Sequence, residues 1–270
     1  MQGFDRQATP RWQMVPVNGD RYVALRDGAG LTVASNAPAV LTASEIARRA
    51  IPSGDERQAL QPNDRIFKLR GASKGNAKLQ AKNGAGVTVV ELEVDTKDRK
   101  TVRVTFNFVR DSAGHHTKRA SASAAHWVNT MNYIYSGQAN INPILRLTRS
   151  RAATVDLGPQ VMWTSGADSE WDTVTALGDA GADMNYFLVW EYEQDATPTV
   201  DNTDAGTLAA NCIFEDKAGK QIGVTMAHEM GHYLGVDDHY NAASKIDLMY
   251  GITDQRGINL RKSDVNTMNP

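Results

Sequence analysis

Two histidines and a glutamate near the end of the chain have the types and the spacing of a hydrolytic metal site. His228 and His232 are four residues apart, so in a helix they lie one turn apart on the same face, where both imidazoles can bind one metal ion. Glu229 directly follows the first histidine, and its carboxylate can reach a metal-bound water without binding the metal itself. A zinc ion with an adjacent general base is the arrangement that peptide hydrolysis needs.

The residues around these three side chains favour a buried helix over a solvated one. Apolar residues surround the histidines at Met226, Ala227, Met230 and Leu234, and they predict a helix over residues 221–234. Imidazoles and a carboxylate inside a buried helix are unfavourable unless they are paired or bound to a metal. The HExxH pattern has only three fixed positions and also recurs by chance, so the apolar surroundings are needed for the metal-site interpretation.

A third ligand is expected from the turn that follows the helix. Gly235 tolerates the positive φ that a sharp turn after a helix requires. Asp238 and His239 come three and four residues after this glycine, and either side chain could return to the same metal ion. The spacing by itself leaves both residues open.

The segments HEMGHYLGVDD and DLMYG together resemble the metzincins, a clan of zinc peptidases with a long HExxHxxGxxH/D motif and a turn that contains methionine. The resemblance implies that His228 and His232 are zinc ligands and that Glu229 is the general base. It gives the third ligand position to Asp238, as in the snapalysin branch, where aspartate takes this place and is followed by histidine and tyrosine. His239 remains the alternative third ligand.

The same resemblance covers the methionine turn. Met249 is expected to pack beneath the metal and not to bind it, because a thioether is a poor zinc ligand beside imidazole and carboxylate. Tyr250 receives no metal role, because metzincins with a metal-binding turn tyrosine have it two residues after the methionine. The segment 206–216 resembles the metzincin edge strand, which binds an extended peptide by strand addition.

Residues 101–270 predict an α+β domain that positions these groups. Strict alternation over 101–109 predicts a strand, and apolar residues at helical spacing predict a helix over 119–135. The other predicted elements are strands at 144–147 (with a continuation towards 157), 185–190 and 208–214, a turn at 216–220, and a last helix at 260–268.

Residues 12–98 have a different pattern, which predicts a separate all-β sandwich. Short alternating runs are separated by glycine, asparagine and aspartate, with one helical interruption expected at 43–50. The runs LTVASNAPAVLTA and FKLRGASKGNAKLQAKNGAGVTVVELEV resemble a bacterial Ig-like domain of the kind attached to secreted or surface proteins. The charged segment 95–100 is expected to link the two domains.

The composition excludes some partners. The net charge is −2 without a long run of like charge, which gives no electrostatic basis for nucleic-acid binding. No stretch approaches the roughly 18 apolar residues of a membrane span. Cys212 is the single cysteine, so no intrachain disulfide forms, and its predicted strand favours a buried side chain. A monomer is the default expectation.

The other histidines are expected to have no metal role. His115 and His116 fall in a loop with glycine and serine, which favours exposed side chains. His126 precedes Trp127 on the predicted helix, which favours a structural role.

We therefore expect a zinc metalloendopeptidase that cuts an extended polypeptide and is secreted, although residues 1–6 have no apolar signal region. Three other interpretations remain. The same chemistry would serve a toxin or effector delivered into another cell, or a cell-wall amidase that cuts peptidoglycan. The third is a binding module with a structural zinc site, which Glu229 disfavours because such a site needs no general base.

Overall fold

The computed structural model describes residues 3–4, 12–51, 60–162, 170–193, 204–217, 221–252 and 255–270. The chain divides into two compact units. The first contains residues up to Arg99 with 138–140 and Asn269, and the second contains the remainder from Lys100 onwards. The described residues form a mixed α/β structure with several sheets and few helices.

The N-terminal unit consists of two four-stranded sheets. Its strands are β1 (Gly3–Phe4), β2 (Trp12–Pro16), β3 (Asp20–Arg26), β4 (Thr32–Ser35), β5 (Leu41–Ile46), β6 (Arg65–Gly71), β7 (Gly75–Lys82) and β8 (Thr88–Lys97). The strand orders are β1-β3-β6-β5 and β2-β8-β7-β4. Both sheets contribute to one apolar cluster, which includes Val23, Leu69, Leu79 and Leu92, because alternate residues of a strand point to the same face.

Two predictions for this unit are wrong. The helix expected at 43–50 is replaced by β5, and only Arg48–Ala50 forms a 3-10 turn. Antiparallel pairing of β5 with β6 overrides the weak helix propensity of the segment. The linker expected at 95–100 continues β8 through Lys97, which pairs with β2, and its side chains from Asp95 to Lys97 are buried.

The C-terminal unit is built around a five-stranded sheet. The strands of this unit are β9 (Lys100–Arg110), β10 (Ile141–Ala152), β11 (Val161–Met162), β12 (Met184–Val189), β13 (Tyr192–Glu193), β14 (Ala205–Leu208) and β15 (Asn211–Glu215). Its helices are α1 (Ala124–Ala139), α2 (Glu170–Thr175), α3 (Ile222–Tyr233) and α4 (Lys262–Met268). The sheet order is β10-β9-β12-β15-β14, and β11 pairs separately with β13.

Four strands of the large sheet are parallel, and β14 runs antiparallel to β15 at its edge. Every residue of the central strand β12 is buried, as is typical of a parallel strand that is covered on both faces. The predicted strands at 101–109 and 185–190 and the helices at 119–135, 221–234 and 260–268 are confirmed, with ends shifted by one to several residues. Among the described residues, no helix has the length and the apolar character that crossing a membrane requires.

The strand predicted at 208–214 is confirmed only from Asn211 onwards, because the chain forms a hairpin turn before it. Strands β14 and β15 are joined by Ala209 and Ala210, and Ala209 has a φ of 51°. A positive φ at this position is typical of two-residue hairpin turns. The hairpin places β14 at the sheet edge, alongside α3. The turn predicted at 216–220 lies partly outside the described residues.

Candidate metal centre

Helix α3 holds both histidines and the glutamate in a buried setting. Its residues from Val224 to Gly231 are buried. The helix ends at a glycine-dependent turn, in which Gly235 has a φ of 92° and its N–H donates to His232 O at 2.9 Å. The N–H of Val236 donates to Gly231 O at 3.1 Å, which completes a Schellman motif. The predicted turn at Gly235 is confirmed.

Both imidazoles are oriented by backbone carbonyls. Nδ1 of His228 lies 2.9 Å from Leu248 O, and Nδ1 of His232 lies 2.9 Å from Val236 O. A carbonyl oxygen only accepts hydrogen bonds, so each Nδ1 carries the hydrogen. In the neutral rings, each Nε2 therefore has a lone pair for a metal ion, and hydrogen bonds of this kind are what orient zinc-binding histidines.

Three potential ligand atoms converge at this point. Nε2 of His228 and Nε2 of His232 are 3.1 Å apart. Oδ1 of Asp238 lies 3.3 Å from the first nitrogen and 3.6 Å from the second. Ligands of a tetrahedral zinc ion with bonds of about 2.0–2.1 Å are about 3.3–3.4 Å apart. Because Oδ1 of Asp238 is also buried without a hydrogen-bond donor, the three residues fit a zinc ion.

His239 has other partners. Its Nε2 lies 3.2 Å and 3.3 Å from the two carboxylate oxygens of Asp264 on α4. Its N–H donates to Met249 O at 2.7 Å. These contacts favour Asp238 over His239 as the third ligand.

Glu229 is beside the three ligand atoms. Its Oε2 accepts a hydrogen bond from Thr207 Oγ1 at 2.7 Å, and its Oε1 lies 4.0 Å from Nε2 of His228. Burial raises the pKa of the Glu229 carboxyl above its usual value. A carboxylate with one oxygen held and the other near the ligands has the position of a general base.

Met249 lies against α3 at Gly231. Met249 is fully buried, and a Cβ atom at position 231 would meet its sulfur and its terminal methyl group. The preceding residue, Leu248, supplies the carbonyl that orients His228. Met249 therefore packs under the helix between the two histidine positions.

Sequence reasoning missed three polar residues of the centre. Thr207 holds Glu229, and the Tyr240 hydroxyl donates to Oδ2 of Asp238 at 2.8 Å. Arg256 is buried, and burial lowers the pKa of its guanidinium, while the charges of Glu229 and Asp238 raise it. Only Tyr240 had a sequence indication, in the histidine-tyrosine pair that follows Asp238.

A second group of potential ligands, Asp111, His115 and Asp156, is explained by hydrogen bonds within and between the loops that follow β9 and β10. Asp111 accepts from the backbone of Gly114, His115 and Leu157 and lies 2.8 Å from His115 Nδ1. These bonds use the lone pairs of Asp111 and hold the loops together.

The remaining sequence expectations have mixed outcomes. His116 is exposed, as expected, whereas His115 is half-buried, because it contacts Asp111 and stacks on Trp190. Cys212 is buried in β15, where burial raises the pKa of its thiol. His126 was expected to have a structural role, but it is exposed on α1, because it lies outside the face that buries Ala124, Trp127 and Val128.

No protein-family model and no curated protein sequence matches the chain. Among solved structures, archaemetzincin from Methanopyrus kandleri is 10% identical, with a TM-score of 0.43 over 63% of this chain and 93% of that one. Metalloproteinase-II from Bacteroides fragilis is 11% identical, with a TM-score of 0.39 over 95% and 84% of the two chains. Domains 4 and 5 of the S-layer protein SbsC are 15% identical, with a TM-score of 0.24 over 36% of this chain and 50% of that one. This chain spans only 13% and 12% of two longer forms of that protein. Likeness at these scores assigns no family, site or substrate.

Proposed function

We propose that this chain is a zinc-dependent endopeptidase of the metzincin type, with residues 101–270 as its catalytic domain. The proposal is carried by the convergence of His228 Nε2, His232 Nε2 and Asp238 Oδ1 at separations of 3.1, 3.3 and 3.6 Å, with Glu229 beside them. A structural zinc site is closed by four protein ligands, whereas a catalytic site has three and an open position. Three converging ligands with an adjacent carboxylate favour a catalytic site.

Each residue of the centre has a separate task in peptide hydrolysis. His228, His232 and Asp238 would hold the zinc ion. When bound there, zinc supplies a Lewis acid that polarises a peptide carbonyl and acidifies water. Glu229 takes the proton of the attacking water and returns it to the leaving amine.

The proposed substrate is an extended polypeptide that pairs with β14. Glu215 N donates to Asp204 O at 3.1 Å, so alternation along the hairpin makes Thr207 and Cys212 a non-hydrogen-bonded pair. The N–H and C=O of Thr207 therefore point away from β15, towards an edge of the sheet where no further strand of the described residues pairs. A peptide strand added at this edge would pass beside Glu229 and would be cut internally.

We further propose that residues 12–98 are an Ig-like sandwich domain and that the protein acts as a secreted peptidase. Two four-stranded sheets that share one apolar cluster support a sandwich. Secretion rests on the sequence resemblance to Ig-like domains alone.

The test is cleavage of a mixed peptide library by the zinc-loaded protein and by Glu229→Gln, which keeps the shape of the side chain but removes the base. We expect cleavage that disappears in the variant while both proteins bind one zinc ion. Equal cleavage by both proteins would show that Glu229 is not the base. No peptide cleavage by zinc-loaded wild type would overturn the proposal, and release of fragments from purified peptidoglycan would then identify a cell-wall amidase.

A further inference from the structure

The Thr207 side chain and main chain face two different partners. Its hydroxyl donates to Oε2 of Glu229 at 2.7 Å. Its main-chain N–H and C=O point away from β15, as the alternation of hydrogen bonds along the hairpin requires. Thr207 therefore contacts the Glu229 carboxylate and also lies where a peptide strand added to β14 would pair.

We propose that Thr207, which lies on the strand along which a peptide would pair, is a positioning residue for Glu229. This inference rests on the proposed peptidase function. It assigns to the edge strand a role in orienting the general base, in addition to main-chain pairing with substrate.

The hairpin leaves the hydroxyl little freedom. Thr207 lies opposite Cys212, and side chains of such a pair share one face of the sheet. Cys212 is fully buried, so the Thr207 side chain is on the inner face of the sheet, which α3 covers beside β14. Threonine is also β-branched, which restricts its χ1 rotamers. The hydroxyl is thus presented to Glu229 in a fixed direction.

The hydrogen bond gives the two carboxylate oxygens different positions. Oε2 is held by Thr207, and Oε1 is left near the zinc ligands, at 4.0 Å from Nε2 of His228. Without the hydroxyl, the Glu229 carboxylate loses the hydrogen bond that distinguishes Oε2 from Oε1. The expected defect is therefore in the chemical step and not in zinc binding or in main-chain pairing with the peptide.

The first test compares Thr207→Val, which removes the hydroxyl at nearly constant shape, with Thr207→Ser, which keeps it. We expect Thr207→Val to lower kcat by roughly 10-fold to 100-fold, the usual effect of removing a group that orients a metal-site residue. Its KM and zinc content should stay near those of wild type, and Thr207→Ser should recover most of kcat. Thr148→Val is the matched control, because Thr148 is exposed on β10 at the opposite edge of the same sheet; it should leave kcat unchanged.

The second test does not depend on activity. The ¹³C signal of the Glu229 carboxyl, assigned by its loss in Glu229→Gln, is recorded at one pH in the zinc-free proteins. It should move in Thr207→Val and stay near the wild-type position in Thr207→Ser. If Thr207→Val does not fold, Thr207→Ala takes its place in both tests.

The outcomes separate this inference from the proposed function. A wild-type protein that cleaves no peptide defeats the peptidase proposal, while the carboxyl signal still decides whether Thr207 positions Glu229. An unmoved signal in Thr207→Val, or a kcat equal to that of wild type, overturns the inference. A loss of kcat that Thr207→Ser does not recover overturns it as well, since packing of the edge strand would then explain the defect.

Discussion

Replacing Gly231 by alanine tests how closely α3 packs against Met249. A Cβ atom there would lie 2.2 Å from Met249 Sδ and 2.8 Å from Met249 Cε. Non-bonded heavy atoms are normally about 3.5–4.0 Å apart, so an added methyl group overlaps the thioether. Met249 is fully buried, so the flexible end of its side chain would have to shift within a packed core.

We predict that Gly231→Ala destabilises the zinc-free protein relative to a matched glycine replacement in another helix. Overpacking a buried site costs about 1–3 kcal/mol, whereas alanine in place of glycine inside a helix stabilises it by up to about 1 kcal/mol. Gly137 in α1 is the control, since nothing lies within 4 Å of a Cβ there. Gly137→Ala measures only the stabilisation that the higher helix propensity of alanine gives. The free energies of unfolding of the two variants should therefore differ by about 1–3 kcal/mol.

Thermal unfolding in the presence of a chelator measures this difference, and 1 kcal/mol corresponds to about 2–4 °C in Tm for a unit of this size. Zinc affinity should fall in Gly231→Ala as well, because moving Met249 also moves the Leu248 carbonyl that orients His228. If Gly231→Ala is as stable as Gly137→Ala and binds zinc like wild type, the proposed packing under α3 is refuted.

Three further outcomes are expected. Glu215 is buried, and burial beside Glu191 raises the pKa of its carboxyl well above its usual range. Above about pH 4.5 the unfolded chain loses the Glu215 proton, whereas the folded state keeps it up to about pH 9. The free energy of unfolding therefore falls as the pH rises between these two values. Glu215→Gln should raise the free energy of unfolding more at pH 8 than at pH 5, by about 1.4 kcal/mol per pH unit between them. Thermal unfolding at both pH values measures this, and equal effects would contradict it. Tyr240→Phe removes the hydrogen bond to Asp238 and should weaken zinc binding roughly 10-fold, measured by competition with a chromogenic chelator; unchanged affinity would exclude this role. Asp238→Asn should weaken zinc binding far more than His239→Gln in the same assay, and the reverse order would make His239 the third ligand.

The parts of the centre that could be predicted from sequence depend on short-range geometry. The placement of His228 and His232 on one face follows from their separation in a helix. The turn at Gly235, whose φ of 92° is one that glycine adopts readily, could be predicted to return either Asp238 or His239 to the histidines, and the motif resemblance favoured Asp238. In both cases, the relevant backbone conformation is set by the segment that carries the ligands.

The parts that could not be predicted depend on contacts between distant segments. Thr207 reaches Glu229 only because the chain reverses at Ala209 and Ala210, and alanine has no turn preference that would reveal this reversal. The segment 43–50 likewise reads as helical, yet its first residues pair with β6. A contact between β14 and α3 decides the first case and pairing of β5 with β6 decides the second, and the local sequence encodes neither partner.

The loop from Gly235 to Gly251 explains how the three proposed ligands can be oriented together. Val236 O orients His232, Leu248 O orients His228, and the loop itself carries Asp238. The two ends of the loop are joined where His239 N donates to Met249 O at 2.7 Å and Gly251 N donates to His239 O at 3.3 Å. Because one loop fixes both imidazole tautomers and the aspartate, the geometry of the centre depends on the hydrogen bonds of this loop as much as on helix α3.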